Sequence, residues 1–428
     1  MTESINNNQT TSNYKGSRRV RVDFHIHSPG SHTFKLPDGM NIEKHGDKIL
    51  DDFIRQIEKH NIRIVAITDY NGVRPDLYTL IRQKAQEKGI IVFPGAELSF
   101  NEGKRGLHII SIFPDTIDIE VINAHINSLA ANPPVIDSTG VHRDIKVQQN
   151  IYNCMEKLRK ELNAVLIVPH PNEDKGLFTS YAHKQAAEFI KEVKPSGIEN
   201  YTAENIRILS STGILTRKEC EQIAQLEFSD SKTIDEIGTK KRANSMIRAT
   251  YLKLSELEDL DAIRMALNEP KLRVQTNNLI DNQYTRILTL NIEGSGFCGG
   301  LKIEFSPELN VLIGGRGVGK SAILELIRYV LDLKAYSETD YRKELINFAL
   351  GSGGKINMLI KQVMSQDISR NYRFERINGE RPHVYEIING TEQEVELEPI
   401  KVLNIKEFPF LFGQREIYDL TRNESERL

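Results

Sequence analysis

VRVDFHIH (20–27) decides how the first part of this chain folds. Apolar and polar residues alternate along it, as in a half-buried strand, and it closes on Asp23, His25 and His27. Side chains two apart on an extended segment point the same way, so the two imidazoles share a side. Outward from this stretch, short apolar runs recur. IRIVAIT (62–68), IIVFPG (90–95), LHIISIF (107–113), AVLIVPH (164–170), SGIEN (196–200) and LEFSD (226–230) read as further strands. Amphipathic stretches at 47–60, 75–89, 145–163 and 183–194 read as helices between most of them. Strand–helix alternation predicts parallel pairing, because parallel strands need a crossover. The pattern ends near Val274, and residues 18–275 number 258, close to the roughly 250 of a β/α barrel. An open doubly wound sheet is the competing arrangement.

The whole chain has 428 residues, a length that predicts two or three domains. With 39% hydrophobic and 27% charged residues it can bury sizeable cores. The 56 Lys and Arg against 59 Asp and Glu give a net charge of -3, which excludes a strongly basic coat but not a local basic patch. No apolar run approaches the roughly 18 residues of a membrane span. The start, MTESINNNQTTSNYKGSRR, is polar and lacks the apolar core of a signal peptide. Cys154, Cys220 and Cys298 lie far apart and form neither a disulfide framework nor a CxxC zinc site. The expectation is a cytoplasmic protein without a membrane partner. Residues 1–17, rich in Asn, Thr and Ser, read as a disordered tail.

Polar residues stand at the ends of the apolar runs: Asp69, Glu97, His170, Glu199 and Asp230, with His108 on the fourth run. In a β/α barrel the C-terminal strand ends converge on one face, which would bring most of these into one pocket with His25 and His27. A lone strand-end His or Asp is more often a satisfied polar group than a ligand, so the joint pattern carries the reading. Imidazoles and carboxylates without thiolates suit zinc, manganese or iron.

VDFHIHSPGSH (22–32), AITDYNG (66–72), FPGAELSF (93–100), LHII (107–110), VPHP (168–171), GIEN (197–200) and FSDSK (228–232) resemble, in order, the motifs of PHP domains (polymerase and histidinol phosphatase). The resemblance covers roughly Val20 to Val274. It implies a distorted, TIM-like β/α barrel that hydrolyses phosphate esters with metal ions at the strand C-termini. It implies His25, His27, Glu97 and Asp230 around a first ion, and Glu97, His108 and His170 around a second, with Glu97 bridging. Asp69 would orient a ligand imidazole, and Glu199 matches a motif position without an assigned role. Two histidines usual in the family are replaced, by Tyr70 and Lys232. Together with the position resembling His32 they would hold a third ion, so a two-metal centre is expected. Lys232 would supply positive charge at the scissile phosphate, and Tyr70 a hydrogen bond. Two ions about 3.5–4 Å apart can clamp the attacking and leaving oxygens of an in-line displacement.

Residues 276–285 (TNNLIDNQYT) read as a linker to a second domain, 286–428. There ILTLNIEG (287–294), GLKIEF (300–305), LNVLIGG (309–315), INMLIKQ (356–362), NYRFERI (371–377), HVYEII (383–388) and IKVLNI (400–405) read as strands, and 320–333 as a helix. GGRGVGKS (314–321) fits G-x-x-x-x-G-K-[ST] between an apolar run and an amphipathic helix. Its glycines, Gly314, Gly317 and Gly319, let backbone N–H groups turn inward on phosphates; Lys320 reaches the β/γ oxygens and Ser321 a Mg²⁺ ion. The helix N-terminus adds its dipole.

FSPELNVLIGGRGVGKSAILELI (305–327) resembles the start of the ABC-type ATPase head of SMC and RecF-like DNA-repair proteins, and LFGQREIYDL (411–420) their Q-loop. This implies an α/β lobe with an antiparallel β subdomain, ATP and Mg²⁺ as ligands, and Gln414 sensing Mg²⁺ and the attacking water. No apolar run ending in Asp-Glu and no LSGG-like signature follows, so the lobe reads as incomplete, with NESERL (423–428) as the start of a helical insertion. Such heads sandwich ATP between protomers, which implies a homodimer or higher homo-oligomer.

GTKKRANSMIRATYLK (238–253) carries Lys240, Lys241, Arg242, Arg248 and Lys253 with no acidic residue. It could track a nucleic-acid backbone, or be a solvated cluster. A PHP domain followed by an ABC-type head resembles bacterial PHP-ATPases, some of them anti-phage defence proteins. The expected function is a nucleotide-controlled, metal-dependent phosphodiesterase or nuclease on DNA or RNA, in defence or repair. A phosphomonoesterase like histidinol phosphatase and a non-catalytic PHP scaffold are the alternatives.

Overall fold

A computed structural model describes residues 17–136, 143–242, 245–255, 257, 259–276, 284–334, 340–365, 368–403, 411–412 and 416. They fall into two compact units, residues 17–279 and 280–428. The tail, most of the expected linker, Gln414 and NESERL lie outside the described residues.

Among the described residues, the first unit is built on nine strands: β1 (Arg18–Ile26), β2 (Ile62–Tyr70), β3 (Ile91–Phe100), β4 (Leu107–Ile112), β5 (Val165–Val168), β6 (Gly197–Glu199), β7 (Ala224–Leu226), β8 (Thr250–Leu254) and β9 (Val274–Thr276). They form one sheet in the order β7-β6-β5-β4-β3-β2-β1-β8-β9. β9 comes back against β7, so the sheet nearly closes into a barrel. The all-parallel expectation needs correction. β1–β2, β2–β3, β5–β6 and β6–β7 are parallel, but β4 is antiparallel to both neighbours, and β8 and β9 are antiparallel too. Residues 101–106, between β3 and β4, are too few for a crossover, which takes a dozen or more. β8, missed from sequence, overlaps the end of the basic run and alternates buried and half-buried side chains.

Helices cover the outer face. Ile42–Lys59 buries Ile49, Leu50, Phe53, Ile54 and Ile57, one apolar stripe at helical spacing, and the Asn41 side chain caps its start. The helix expected at 145–163 begins at Ile151, because Asn150 caps it by accepting from the Asn153 N–H. Two cores result. Val22, Phe24, Ile64, Ala66, Phe93, Ile110 and Ile167 pack on one face of the sheet; Val65, Ile67, Leu98, Ile109 and Leu166 pack on the other, against helices.

The second unit holds β10 (Arg286–Glu293), β11 (Lys302–Glu304), β12 (Lys355–Ser365), β13 (Ile368–Ile377), β14 (His383–Ile388) and β15 (Thr391–Val395). Their order is β11-β10-β12-β13-β14-β15, antiparallel throughout. The helix Lys320–Val330 packs Leu326 and Val330 against Leu290, Met358 and Phe374. Two expected strands are not strands here. LNVLIGG (309–315) is irregular, with Leu309 88%, Val311 66% and Ile313 90% exposed. A strand needs a neighbour for its N–H and C=O groups, and no strand pairs with it among the described residues. IKVLNI overlaps the helix Pro399–Leu403, where Pro399 stands at a helix start, a position that tolerates its missing N–H.

Candidate metal centre

A bulge aims the HxH pair. Between Asp23 and Ile26, β1 carries one residue more than β2 opposite it. Phe24 therefore packs in one core and Ile26 in the other. The shift turns His25 and His27 to the Phe24 side. Strand alternation puts Glu97, His108 and Glu199 on that same side, at the sheet edge where β1, β2 and β3 end. His170 and Asp230 follow β5 and β7 on backbones with φ of 26° and 43°. For non-glycine residues such angles cost about 1–3 kcal/mol each and persist only where the surroundings impose them.

Glu97 is the hub and is fully buried. Its Oε2 lies 3.4 Å from His25 Nε2 and 3.3 Å from His27 Nε2; its Oε1 lies 2.6 Å from His108 Nδ1 and 3.0 Å from His170 Nε2. Asp230 Oδ1 joins the first pair, 3.5 Å from His25 Nε2 and 3.6 Å from His27 Nε2. One carboxylate thus gives an oxygen to each of two imidazole pairs. His25, His27 and Glu97 can converge on one ion, and Glu97, His108 and His170 on another, their ligand atoms within 4.8 Å of each other in each group. Several of these buried atoms have no hydrogen-bond partner: His25 Nε2, both His27 nitrogens, Glu97 Oε2, His108 Nδ1 and Asp230 Oδ1. Buried polar atoms are rarely left so, and divalent cations on both sides of Glu97 would satisfy all of them but His27 Nδ1, which faces Asp69. The residues therefore fit the expected metal group.

The electrostatics agree. Burial pushes the Glu97 carboxyl up, but His25 and His108 outweigh it and hold the group well below its ordinary range. Burial likewise opposes ionisation of Asp230, and His25, His27, Lys232 and Lys240 hold it down. Burial would lower His25, yet Asp230, Glu199 and Glu97 raise it well above an ordinary imidazole. This is a nest of anions that holds protons when metal-free and would exchange them for cations.

Around the cluster, Glu199 Oε2 accepts from His25 Nδ1 at 3.0 Å, which fixes that ring with Nε2 toward Glu97. Asp69 lies on the opposite side of β2 from Tyr70 by alternation. Its carboxylate accepts from the Ser28 N–H at 2.8 Å and the Ser28 hydroxyl at 2.6 Å, while His27 Nδ1 is 3.9 Å away. Asp69 thus chiefly holds the turn after the HxH pair. Asp23 similarly accepts from the His25 and Ser229 N–H groups, tying β1 to the segment that carries Asp230. The Tyr70 ring stacks on His27 at 4.9 Å between centroids. Lys232 Nζ stands 3.2 Å from Asp230 Oδ1.

The basic run is largely engaged. Lys240 Nζ donates to the Asp230 carbonyl at 2.9 Å and lies 3.6 Å from its carboxylate. Arg242 pairs with Glu227, and Arg248 lies 3.8 Å from Glu173. Lys241 is exposed. Sequence reading missed Lys240 at Asp230 and the Glu199–His25 pair, although the GIEN motif had flagged Glu199.

In the second unit, Gly317 and Gly319 take φ of 77° and 94°, which only glycine adopts freely. Lys320, the first helical residue, folds back to donate to the Gly314 and Gly315 carbonyls. Ser321 is exposed at the helix start. Arg328, two turns on, is buried and donates to both Glu416 oxygens and to the Leu411 carbonyl, which ties these two residues to the helix.

Residues 289–424 match the AAA domain family. No curated protein matches the chain. Among solved structures, a two-domain protein of Bacteroides vulgatus, described as containing a PHP-like metal-dependent phosphoesterase, is 14% identical with a TM-score of 0.38, covering 67% of this chain and 85% of that one. A Bifidobacterium adolescentis protein described as a metal-dependent phosphoesterase is 12% identical, TM-score 0.35, covering 57% and 95%. An SMC ATPase is 20% identical, TM-score 0.23, covering 32% and 90%. At these TM-scores the likenesses carry no argument about function. The chain joins a buried histidine–carboxylate cluster on a barrel-like sheet to an AAA domain. No helix among the described residues is long and apolar enough to cross a membrane.

Proposed function

We propose that the first unit is a two-metal phosphoesterase of the PHP kind that cleaves phosphodiester bonds of DNA or RNA, under control of a nucleotide bound by the second unit. The observation that carries this is Glu97, buried with one oxygen turned to each imidazole pair. His25, His27 and Asp230 with Glu97 Oε2 would hold one ion; His108 and His170 with Oε1 would hold the other. Zinc, manganese and iron all suit these donors. When bound, such a pair supplies Lewis-acid stabilisation to the attacking and leaving oxygens of an in-line displacement. The chain's own residues do the rest. Lys232, beside Asp230, takes a phosphate oxygen at the open side of the site. The Tyr70 hydroxyl, hydrogen-bonded to Glu97 in this structure, would turn to donate to the substrate. Lys241, the exposed member of the basic run, meets the flanking phosphate backbone, while Lys240, Arg242 and Arg248 shape the rim through their carboxylate partners.

In the second unit the loop around Gly314, Gly317 and Gly319, with Lys320 and Ser321, takes ATP and Mg²⁺, and Gln414 reads the nucleotide state. Two copies would pair through these heads. The diester reading is favoured over a monoesterase because an AAA domain follows the metal unit, a pairing that suits a polymer substrate. The setting implied by the resemblance is anti-phage defence or DNA repair.

The test is to assay the Mn²⁺-loaded chain on single-stranded DNA, duplex DNA, RNA and a small phosphomonoester, with and without ATP. Nucleic acid is cut and chelation stops it. Turnover of the monoester alone refutes the nuclease reading. A metal-free protein whose behaviour is unchanged by His25→Ala and His170→Ala favours a scaffold.

A further inference from the structure

His108 on β4 stands directly opposite Ser99 on β3. Its Nδ1 faces Glu97 at 2.6 Å, and its Nε2 lies 3.1 Å from Ser99 Oγ. Ser99 is in turn gripped by two charged groups. Its Oγ is 2.6 Å from Asp144 Oδ1 and 2.9 Å from Lys175 Nζ, and Lys175 Nζ also reaches Asp144 Oδ1 at 2.8 Å.

Donor counting fixes the direction of every bond. An ammonium donates only, a carboxylate accepts only, and a hydroxyl has one proton. Burial pushes Asp144 up, but the bonds from Lys175 and Ser99 outweigh it and hold the carboxyl below its ordinary range, so it is ionised. Two oxygens 2.6 Å apart need a proton between them, and that proton is therefore Ser99's. Toward His108, Ser99 then offers a lone pair. The His108 Nε2 must carry a hydrogen, so Nδ1, which faces Glu97, is the nitrogen available to an ion.

We infer that Lys175, acting through Asp144 and Ser99, locks His108 in its Nε2–H tautomer and so presents Nδ1 to the ion shared with His170. Lys175, Asp144 and Ser99 are positioning residues for that half of the centre. The other half has its own device, Glu199 on His25. The inference rests on the two-ion reading above. Lys175 and Asp144 sit at the rim, their side chains 27% and 43% exposed, so replacing Lys175 leaves the core intact. Without Lys175, nothing obliges Ser99 to keep its proton on Asp144. Ser99 can donate to Nε2 instead, which puts the ring hydrogen on Nδ1, where it competes with the ion. Loss of such outer partners typically weakens metal binding about ten- to a hundredfold.

The test is Zn²⁺ titration of the full chain by calorimetry after chelation. Wild type takes two ions. Lys175→Met and Ser99→Ala each keep one site unchanged and weaken the other about ten- to a hundredfold, the same site that His170→Ala weakens. Lys175→Arg, which keeps donors to both oxygens, restores it. Wild-type affinity at both sites in Lys175→Met and in Ser99→Ala overturns the inference, and so does an equal loss at both sites with a lowered Tm. A wild type that takes a single ion overturns the two-ion reading itself, and this inference with it.

Discussion

Replacing Lys232 by Met separates a substrate contact from a decorative ion pair. Lys232 Nζ stands 3.2 Å from Asp230 Oδ1, and its side chain is 37% exposed. A phosphate oxygen arriving about 4 Å away would gain about 4 kcal/mol at an effective dielectric of 20 and about 1 kcal/mol in bulk water. Partial exposure screens the contact toward the lower end, to about 1.5–2 kcal/mol. Lost from the transition state, that is about a tenfold to thirtyfold drop in kcat/KM. Asp230 keeps Lys240 beside it, so the ligand carboxylate stays paired and both ions stay bound. The assay is steady-state phosphodiester cleavage by the Mn²⁺-loaded chain, with metal content measured on the same samples. Lys232→Arg retains most of the activity. Unchanged kcat/KM in Lys232→Met, with two ions bound, shows that Lys232 does not contact the substrate. A drop accompanied by metal loss shows instead that Lys232 acts on Asp230.

Glu199→Ala removes the acceptor that orients His25, and the metal site containing His25 weakens about ten- to a hundredfold in a Zn²⁺ titration while the other is unaffected. Lys320→Ala abolishes binding of a fluorescent ATP analogue to the second unit and leaves metal stoichiometry at the wild-type value; loss of metal would contradict separate roles for the two units. Burial lifts the Asp23 carboxyl to about 6 despite the N–H groups of His25 and Ser229. An acid whose folded pKa lies above its unfolded value favours folding increasingly as pH falls from about 6 toward 4. Urea unfolding of the chelated chain will therefore show wild type gaining on Asp23→Asn by up to about 3 kcal/mol between pH 7 and pH 4, and a pH-independent gap contradicts it.

The cluster was legible in sequence because its histidines and carboxylates stand at the ends of apolar runs in a recognisable order. VDFHIH, AELSF, LHII, VPHP and FSDSK name His25, His27, Glu97, His108, His170 and Asp230, and the structure brings all six together. What the strands do around them was less legible. Periodicity shows that LHIISIF is a strand but not its direction, which the short link 101–106 decides. The bulge that swings His25 and His27 to the Glu97 side leaves no compositional mark. Lys175 and Asp144 come from separate loops and meet only at Ser99. The apolar run 309–315 looks like a buried strand, yet pairing depends on a neighbour that its own residues do not encode. Pro399, by contrast, was a local signal against a strand at 400–405.

On the proposed function, Glu97 would give one carboxylate oxygen to each of two metal ions. Anomalous diffraction at the manganese edge from Mn²⁺-soaked crystals tests it most directly. Two peaks are predicted about 3.5–4 Å apart, one beside Glu97 Oε2 with His25, His27 and Asp230, the other beside Oε1 with His108 and His170. A single peak, or a third ion in the place of the Lys232 ammonium, would contradict the account.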